Sequence, residues 1–589
     1  MAQHSLSSVD LLLQGGLYYN CSLKSFRPAD IWIHQGKILY VDEKKDGGAS
    51  LTACEVVDIT GKWIVPGFID SHMHIESSML TPARFGERVA QCGVTTLVAE
   101  PHEMANVAGV DGIRAMIAAG KEAPVDILFG IPSCVPASNS KLETTGGVIT
   151  ADDMKSLLNE DEVVCVGEVM NYREIIRPNN LEISKFINYL HEVRPHFPIE
   201  GHCPQLEDLD LAKFLAVGIG SDHTEHDIEG FRQRFIMGMF VQIQEKTLSR
   251  ELLDLIEELD VYEQFAFVTD DVMPDTLYRI GHLDHIVRSA IHMGLKPEQA
   301  FYNVSLTPAR RMNLTDRGAI APGKLADLVV LTNPETVAID RVYKNGKCIH
   351  KQGDQSLSDK KEGKKSTFPN CLNHSIHLQA VTPSIFENAG IATSDLAGRS
   401  QVQVRAMQIN NGTTKTTEIH RTLPVVDGNI QWEDSDLLLV ASLERYGREG
   451  SIGFGFVTGN CHKQGAIASS YAHDNHNVLV AGKSLEAMAL AVNRLIELQG
   501  GWIVTDPSGE KIAAELPLPI GGIITDEPVS EVGERTEQVR NAIEELGYQH
   551  YNPFMSFGTL SLTVSPSLKL TNKGLIDVKK GLIVPLIVE

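Results

Sequence analysis

The chain has 589 residues, 43% of them hydrophobic, and its 76 Asp and Glu outnumber its 52 Lys and Arg to give a formal net charge of −24. This length exceeds one ordinary hydrophobic core and predicts two or three domains. Because so acidic a surface repels phosphate groups, we exclude nucleic acid and anionic membrane surfaces as expected partners.

The nine cysteines are scattered without a Cys-x-x-Cys pair, which is typical of free thiols in a reducing compartment. The N-terminus lacks a basic segment followed by an apolar one, and no apolar run reaches the ~18 residues of a membrane-spanning helix. We therefore expect a cytoplasmic protein that does not enter a membrane.

Residues 1–63 contain short strand-like runs, with a hairpin predicted at Gln35-Gly36. Residues 318–351 have the same character, with a second hairpin predicted at Asn345-Gly346. We expect these two segments to meet and form one small β-sandwich.

Between them, over residues 64–317, apolar runs of strand length alternate with amphipathic stretches of helical length. The predicted strands are residues 64–70, 94–99, 127–131, 163–169, 198–202, 217–222, 239–244 and 265–270. Eight such units predict a (β/α)8 barrel, an α/β fold of ~250 residues. The competing architecture, a doubly wound open sheet, rarely needs eight parallel strands.

The C-terminal part of the chain predicts a separate unit. Residues 352–370 are polar and predict a linker, and residues 371–589 predict an α+β domain. Within that domain Leu485–Leu498 predicts an amphipathic helix that ends at Gly500-Gly501. Residues 451–460 are rich in glycine but lack a strand–turn–helix context, so we expect a hairpin and not a phosphate-binding loop.

Acidic and imidazole side chains follow the predicted barrel strands at the end where barrel enzymes carry their active sites. They are His72 and His74 after the first strand, Glu100, His102 and Glu103 after the second, Glu168 within the fourth, His202 after the fifth, His223 after the sixth, and Asp270 and Asp271 after the eighth. Any one of them alone has an ordinary structural explanation. Their repeated placement at successive strand ends predicts a shared site.

His72 and His74 share one face of a strand because alternate side chains point the same way, so both imidazoles can reach one metal ion. Imidazole and carboxylate ligands together suit Zn²⁺, Fe²⁺ or Mn²⁺. Glu168 stands in an apolar strand, where a bare anion is unfavourable unless cations neutralise it. We interpret Glu168 as a carboxylate between two metal ions.

This pattern resembles the amidohydrolase superfamily. The matching residues are His72, His74, His202, His223 and Asp270, together with the segment 318–329. Glu168 takes the place of the carboxylated lysine that many members carry on strand four, and this substitution resembles the adenine deaminase family. Further segments similar to that family are residues 98–106, 221–223, 267–271, 468–477 and 516–520. Arg173 and residues 224–226 depart from its pattern.

The resemblance implies two divalent metal ions per chain, of Mn²⁺, Fe²⁺ or Zn²⁺. The ligands that it implies are His72, His74 and Asp270 for one ion, His202 and His223 for the other, and Glu168 for both.

In the reaction that the resemblance implies, a hydroxide that bridges the metal ions attacks C6 of adenine, and hypoxanthine and ammonia are released, a step of purine salvage. Asp270 takes the proton of the hydroxide and passes it to the departing amine, and His223 is counted with it among the catalytic residues. A ring nitrogen of adenine must also be protonated or hydrogen-bonded. Glu103 and Glu100 are the candidate acids, although either could instead cap the following helix.

His473 and His476 lie three residues apart in a polar segment of the last domain. One interpretation is a surface loop. The other is a loop that reaches the barrel mouth, where it closes the site or holds a further metal ion. His102 and Asp271 are further candidates for the mouth.

Two rival interpretations belong to different functional classes. A cyclic-amide hydrolase of the dihydroorotase or hydantoinase kind would use the same scaffold on a carbonyl group. A protein that binds metal without catalysis would be expected to lack Asp270, which is present. We expect a purine base as the small-molecule partner and assembly into a homo-oligomer, a dimer or higher.

Overall fold

The computed structural model describes residues 8–44, 51–353 and 367–588. Five strands open the described chain: Ser8–Asn20 (β1), Ser25–His34 (β2), Lys37–Asp42 (β3), Thr52–Asp58 (β4) and Trp63–Pro66 (β5). Strands β2 and β3 form the antiparallel hairpin that was predicted at Gln35-Gly36.

Eight parallel strands follow: Phe68–Met73 (β6), Val94–Ala99 (β7), Asp126–Ile131 (β8), Val163–Val169 (β9), Ile199–Gly201 (β10), Ser221–Asp222 (β11), Phe240–Ile243 (β12) and Phe265–Phe267 (β13). Strands β6 to β10 pair in order, and so do β11 to β13. Backbone hydrogen bonds from Gly220 to Ile199 and from Asp270 to His72, both 3.1 Å, join the two arcs into a ring. These pairings are those of a (β/α)8 barrel, because an open sheet would leave two free edges.

The strand predicted at residues 64–70 is wrong, since it is two strands that belong to different sheets. Strand β5 pairs with β1, whereas β6 pairs with β7 in the barrel. The chain passes between the two sheets at Gly67, where an added Cβ would overlap the side chain of Thr95. Glycine is needed here because the backbone lies against the start of β7. The strand predicted at residues 217–222 is likewise shorter, because Val217 caps the preceding helix.

Helices connect and follow the barrel strands: Pro82–Gln91 (α1), His102–Gly120 (α2), Ala151–Leu157 (α3), Tyr172–Ile175 (α4), Glu182–Val193 (α5), Asp208–Ala216 (α6), Ile228–Ile236 (α7), Arg250–Leu259 (α8), Pro274–Arg279 (α9), Leu283–His292 (α10), Pro297–Asn303 (α11) and Leu306–Arg311 (α12). Short 3-10 turns lie at Ile75–Ser78 and Glu245–Thr247. The backbone of α2 is non-helical at Ala108 and Gly109. The part of α2 before this kink was not predicted, and it carries two of the candidate site residues.

After the barrel, the chain returns to the first strands through Leu328–Asn333 (β14), Ala338–Lys344 (β15) and Lys347–Lys351 (β16). Hydrogen bonds join all eight outer strands in one sheet, in the order β16-β15-β14-β5-β1-β2-β3 with β4 beside β1. The folding of this sheet into a small β-sandwich stays a prediction. The long strand β1 is irregular between Leu13 and Gly16, so its two halves pair with different neighbours. Side chains of both segments share one buried core.

The C-terminal part contains the strands Gln401–Ile409 (β17), Thr416–Val426 (β18), Asn429–Ile430 (β19), Leu438–Leu443 (β20), Ile452–Gly459 (β21), Ala466–Ser469 (β22), Val478–Gly482 (β23), Gly501–Thr505 (β24), Ile512–Pro517 (β25), Leu568–Thr571 (β26), Gly574–Asp577 (β27), Leu582–Val584 (β28) and Ile587–Val588 (β29). Its helices are Asn370–Asn373 (α13), Leu485–Leu498 (α14), Val529–Glu545 (α15) and Pro553–Gly558 (α16), with 3-10 turns at Pro383–Gly390, Thr393–Leu396 and Thr559–Ser561. Ten of the strands form one sheet.

Helix α14 has the predicted bounds, and its end is formed by Gln499 in the left-handed conformation before Gly500. The glycine-rich segment is strand β21, paired on both sides with β20 and β17, so it is not a phosphate-binding loop. Most of the predicted linker, residues 354–366, lies outside the described residues. In the described ranges, none of the helices combines the length and apolar composition needed to cross a bilayer.

The C-terminal part is joined to the barrel by direct hydrogen bonds. The backbone N–H of Thr81, before α1, donates to the carbonyl of Thr525 at 3.0 Å, and the hydroxyl of Thr81 donates to Asp526 at 2.8 Å. At a second contact Arg540 of α15 donates to Asp275 of α9 at 2.7 Å. The carboxyl ends of the barrel strands therefore face protein and not only solvent.

Candidate metal centre

The first part of the site stands at the end of β6. His72 lies in β6, His74 directly follows it, and both imidazoles are buried. Nδ1 of His74 donates to the backbone carbonyl of Glu100 at 3.1 Å, which leaves Nε2 for the site. Oδ1 of Asp270 lies 3.4 Å from Nε2 of His74 and 3.6 Å from Nε2 of His72. Three potential ligand atoms thus surround one point, as the sequence predicted for one metal ion.

Glu168 stands between this group and a second pair of imidazoles. Its Oε1 lies 3.4 Å from Nε2 of His74. Its Oε2 lies 2.7 Å from Nδ1 of His202 and 3.2 Å from Nε2 of His223. His202 and His223 are themselves 3.1 Å apart through these nitrogens. Each oxygen of the carboxylate therefore faces a different set of imidazoles, which is the geometry that a bridging ligand requires.

Asp270 reaches the site from an unusual backbone conformation. Its φ is +58°, in the left-handed region that non-glycine residues rarely adopt. Two backbone hydrogen bonds hold it there, because its N–H donates to His72 at 3.1 Å and its carbonyl accepts from His74 at 3.2 Å. Such local strain is found mainly where the surrounding structure fixes a functional group.

The side chains fit divalent cations on two physical grounds. First, Nε2 of His72 is buried and has no hydrogen-bond partner in the part of the chain that the structure describes. Second, burial lowers the pKa of His72, which keeps the imidazole in the neutral form that binds metal. Burial alone would raise the pKa of Glu168, but the imidazoles of His202 and His223 hold it well below its ordinary value. A carboxylate surrounded by imidazole nitrogens is a donor set that suits a divalent cation.

Glu100 contacts Glu168 and is not among the residues that face the imidazoles of the candidate metal centre. Its Oε2 accepts a hydrogen bond of 2.6 Å from the backbone N–H of Glu168. Burial, with the nearby charge of Glu168, raises the pKa of Glu100. A Cβ on Gly167 would overlap the carboxyl group of Glu100, so this contact depends on glycine. Glu100 supports the backbone that carries Glu168.

Glu103 is held by the C-terminal part of the chain. Its Oε1 lies 2.5 Å from Nδ1 of His473, and its Oε2 is hydrogen-bonded to Nε2 of His476. Burial would lower the pKa of His473, but Glu103 raises it to about 9. The loop between β22 and β23 is buried against the barrel, so the surface-loop interpretation of this segment is wrong.

These contacts bear on the predicted acid. Burial would raise the pKa of Glu103, but the charges of His473, His476 and His102 hold it well below its ordinary value. A carboxyl group that stays ionised is a poor proton donor. The arrangement therefore disfavours Glu103 as the acid that protonates a substrate.

A cavity of about 720 Å³ opens beside Asp270, between the barrel and the C-terminal part. Its lining includes Lys246 and Asp271 from the barrel and Arg540 and Tyr551 from the other side. Nζ of Lys246 lies 3.6 Å from Oδ2 of Asp270, so one residue of the lining contacts a candidate metal ligand. Its volume is in the range of small-molecule sites.

Comparison with known proteins agrees with this geometry. A model of the adenine deaminase C-terminal domain matches residues 413–581, and a model of the amidohydrolase family matches residues 63–349. An adenine deaminase of Clostridium perfringens is 43% identical over 98% of this chain and 99% of that protein. Adenine deaminase 2 of Shouchella clausii is 41% identical over 99% of both chains. The chain belongs to the adenine deaminase family. The resemblance noted in the sequence is confirmed.

Sequence reasoning missed residues that hold the family site in shape. Asp222 accepts hydrogen bonds from Arg234 at 2.6 Å and from the backbone of Cys203 at 3.2 Å, and so ties the ends of two strands together. Arg234 lies in α7, and no motif in the surrounding sequence indicates that it belongs to the site. Asp474 lies within the buried loop, next to His473, and its position between two histidines could have drawn attention to it.

We predict that Gly167→Ala displaces the carboxyl group of Glu100 and, with it, the backbone of Glu168. Metal affinity should fall by roughly 10–100-fold, which is the usual effect of disturbing the groups that orient a ligand. The measurement is metal binding to chelator-stripped protein by equilibrium dialysis. Gly120→Ala is the control, because its Cβ would meet only apolar side-chain atoms at 3.2 Å or more. Equal affinity in wild type and Gly167→Ala would show that the contact is unimportant.

Proposed function

We propose that this chain hydrolyses adenine to hypoxanthine and ammonia. The observation that carries the proposal is the Glu168 carboxylate, which takes the bridging place between two sets of imidazoles in a chain that is 43% identical to an adenine deaminase. The balance of the reaction is simple: a C6–O bond forms, the C6–N bond breaks, and one proton passes from the attacking water to the amine.

The proposed ligands are His72, His74 and Asp270 for one divalent cation, His202 and His223 for a second, and Glu168 for both. Bound divalent cations lower the pKa of water and so supply a hydroxide nucleophile near neutral pH. Mn²⁺, Fe²⁺ and Zn²⁺ all suit this mixed nitrogen and oxygen donor set. His202 is one-third exposed, which leaves this side of the site open to substrate.

Asp270 is the proposed proton carrier. Burial would raise its pKa, but the nearby imidazoles of His72 and His74 hold it well below its ordinary value, so it begins as an anion able to accept a proton. Its second oxygen lies 3.6 Å from Lys246, a residue of the neighbouring cavity, which is the proposed route for release of the amine. His223 keeps its proposed place as a ligand in contact with Glu168.

The expected assembly into a homo-oligomer and the expected cytoplasmic location stay predictions.

A cyclic-amide hydrolase on the same barrel was the alternative. The relatives named above are adenine deaminases over their whole length, which gives this alternative no support. Ammonia release from a panel of purines, measured beside hydrolysis of dihydropyrimidine amides, tests the choice. Turnover of a dihydropyrimidine with no ammonia from adenine would overturn the proposed function.

Replacing the bridging carboxylate tests the metal centre. We expect Glu168→Gln to lose metal and adenine turnover together, because a neutral amide cannot balance two dications. Metal content by mass spectrometry and turnover are measured on the same sample. Glu162→Gln is the control, since Glu162 directly precedes the same strand and its carboxylate pairs with Lys121 at the surface. Full metal content with normal turnover in Glu168→Gln would contradict the bridging role.

Asp270→Asn separates proton transfer from metal binding. We expect kcat for adenine to fall by about 10²–10⁴-fold, the usual contribution of a general acid–base group, with a smaller change in KM. The comparison is Asp271→Asn, whose side chain accepts a hydrogen bond from Ser77. A large loss in Asp271→Asn and a few-fold loss in Asp270→Asn would move the proton role to Asp271.

The buried loop should matter for turnover. We expect His473→Ala and His476→Ala to lower kcat by roughly 10–100-fold while the cations of the barrel stay bound, because the Glu103 carboxylate then loses a buried partner and shifts. His462→Ala removes another buried imidazole of the same domain, one bonded only to a backbone carbonyl, and is the control. Unchanged kcat and KM in both loop variants would show that the loop has a packing role and no effect on turnover.

A further inference from the structure

A second group of buried ionisable side chains lies beside the metal centre, and the proposed reaction does not use it. His102 and Glu103 come from the start of α2, and His473 and Asp474 come from the loop between β22 and β23. All four side chains are buried. His102, Glu103 and Asp474 each offer one possible ligand atom, and these three atoms lie within 4.8 Å of one another.

The distances within this group suit a shared ion. Oε1 of Glu103 lies 3.6 Å from Nε2 of His102. His473, which is outside the proposed ligand set, has its Nδ1 at hydrogen-bond distance from the same Oε1, 2.5 Å away, and 3.7 Å from Oδ1 of Asp474. Ligand atoms that bind one ion at 2.0–2.2 Å are separated by about 3–4 Å.

An independent observation points to a missing partner for these groups. Nδ1 of His102, Nε2 of His473 and Oδ2 of Asp474 are buried, and within the described ranges they have no hydrogen-bond partner. Buried polar atoms are almost always paired, so three in one small cluster need an explanation.

We propose that His102, Glu103 and Asp474 bind a further divalent cation, separate from the pair held by the barrel ligands. Nitrogen and carboxylate donors suit Mn²⁺, Fe²⁺ or Zn²⁺. His102 stands between the two centres, since its ring centroid lies 4.6 Å from that of His74. The cation joins α2 of the barrel to the C-terminal part and neutralises the two carboxylates. This site does not depend on which substrate the enzyme takes.

The test counts metal ions on the full-length protein. Wild-type chain is stripped with a chelator, reloaded with Mn²⁺, separated from free metal and analysed for Mn²⁺ per chain and for adenine turnover. We expect three ions for wild type and two for Asp474→Asn, with no loss of the barrel pair. Asp526→Asn is the matched control, because Asp526 is a half-buried carboxylate where the C-terminal part meets the barrel, accepts a hydrogen bond from Thr81 and lies outside the cluster. This variant should keep three ions.

The outcomes separate this inference from the proposed function. Two ions in wild type with normal turnover of adenine would overturn the further site and leave the function standing, with protons then holding the cluster together. Three ions without adenine turnover would do the reverse. Three ions in Asp474→Asn would also overturn the assignment.

A diffraction measurement covers the case in which Asp474→Asn does not fold. Crystals of the Mn²⁺-loaded wild type are measured at the manganese absorption edge. We expect a third anomalous peak within bonding distance of His102, Glu103 and Asp474. Two peaks in the barrel and none in this cluster at saturating Mn²⁺ would overturn the proposal.

Discussion

The structure depends on the burial of one carboxylate. Glu168 lies inside β9, where water cannot stabilise its charge, and the imidazoles around it come from three other strand ends. Removing a partner from a buried charge costs about 3–5 kcal/mol, so these strand ends must stay in register for the anion to stay buried. The closed ring of strands provides that register, and Gly167 leaves room for Glu100 to support the same backbone.

The parts of the site that the sequence predicted are those that lie in one strand or directly after it. His72 and His74 follow from the alternation of side chains in β6, and Glu168 follows from an acid in an apolar run. Parallel strands in a barrel bring their carboxyl ends together, so listing the acids and histidines at each strand end was enough to gather the six candidate metal ligands. No knowledge of side-chain contacts was needed for that step.

The parts that the sequence did not predict depend on contacts between distant segments. The division of residues 63–73 into two strands is set by the close approach of Gly67 to Thr95, which no local pattern records. The start of α2 was missed because the kink at Ala108 and Gly109 interrupts its helical periodicity. Glu103 looked like a free acid because its partners, His473 and His476, lie more than 350 residues further along the chain.

The burial of the loop between β22 and β23 has a consequence for how such a chain can evolve. The two family models match separate stretches of the chain, residues 63–349 and 413–581, which suggests two units that could be inherited independently. A gene that kept only the first stretch would keep every barrel ligand, yet it would leave Glu103 exposed and its imidazole partners absent. The two stretches must therefore be duplicated, transferred and diversified together, and a substitution on one side of their contact selects for a matching one on the other.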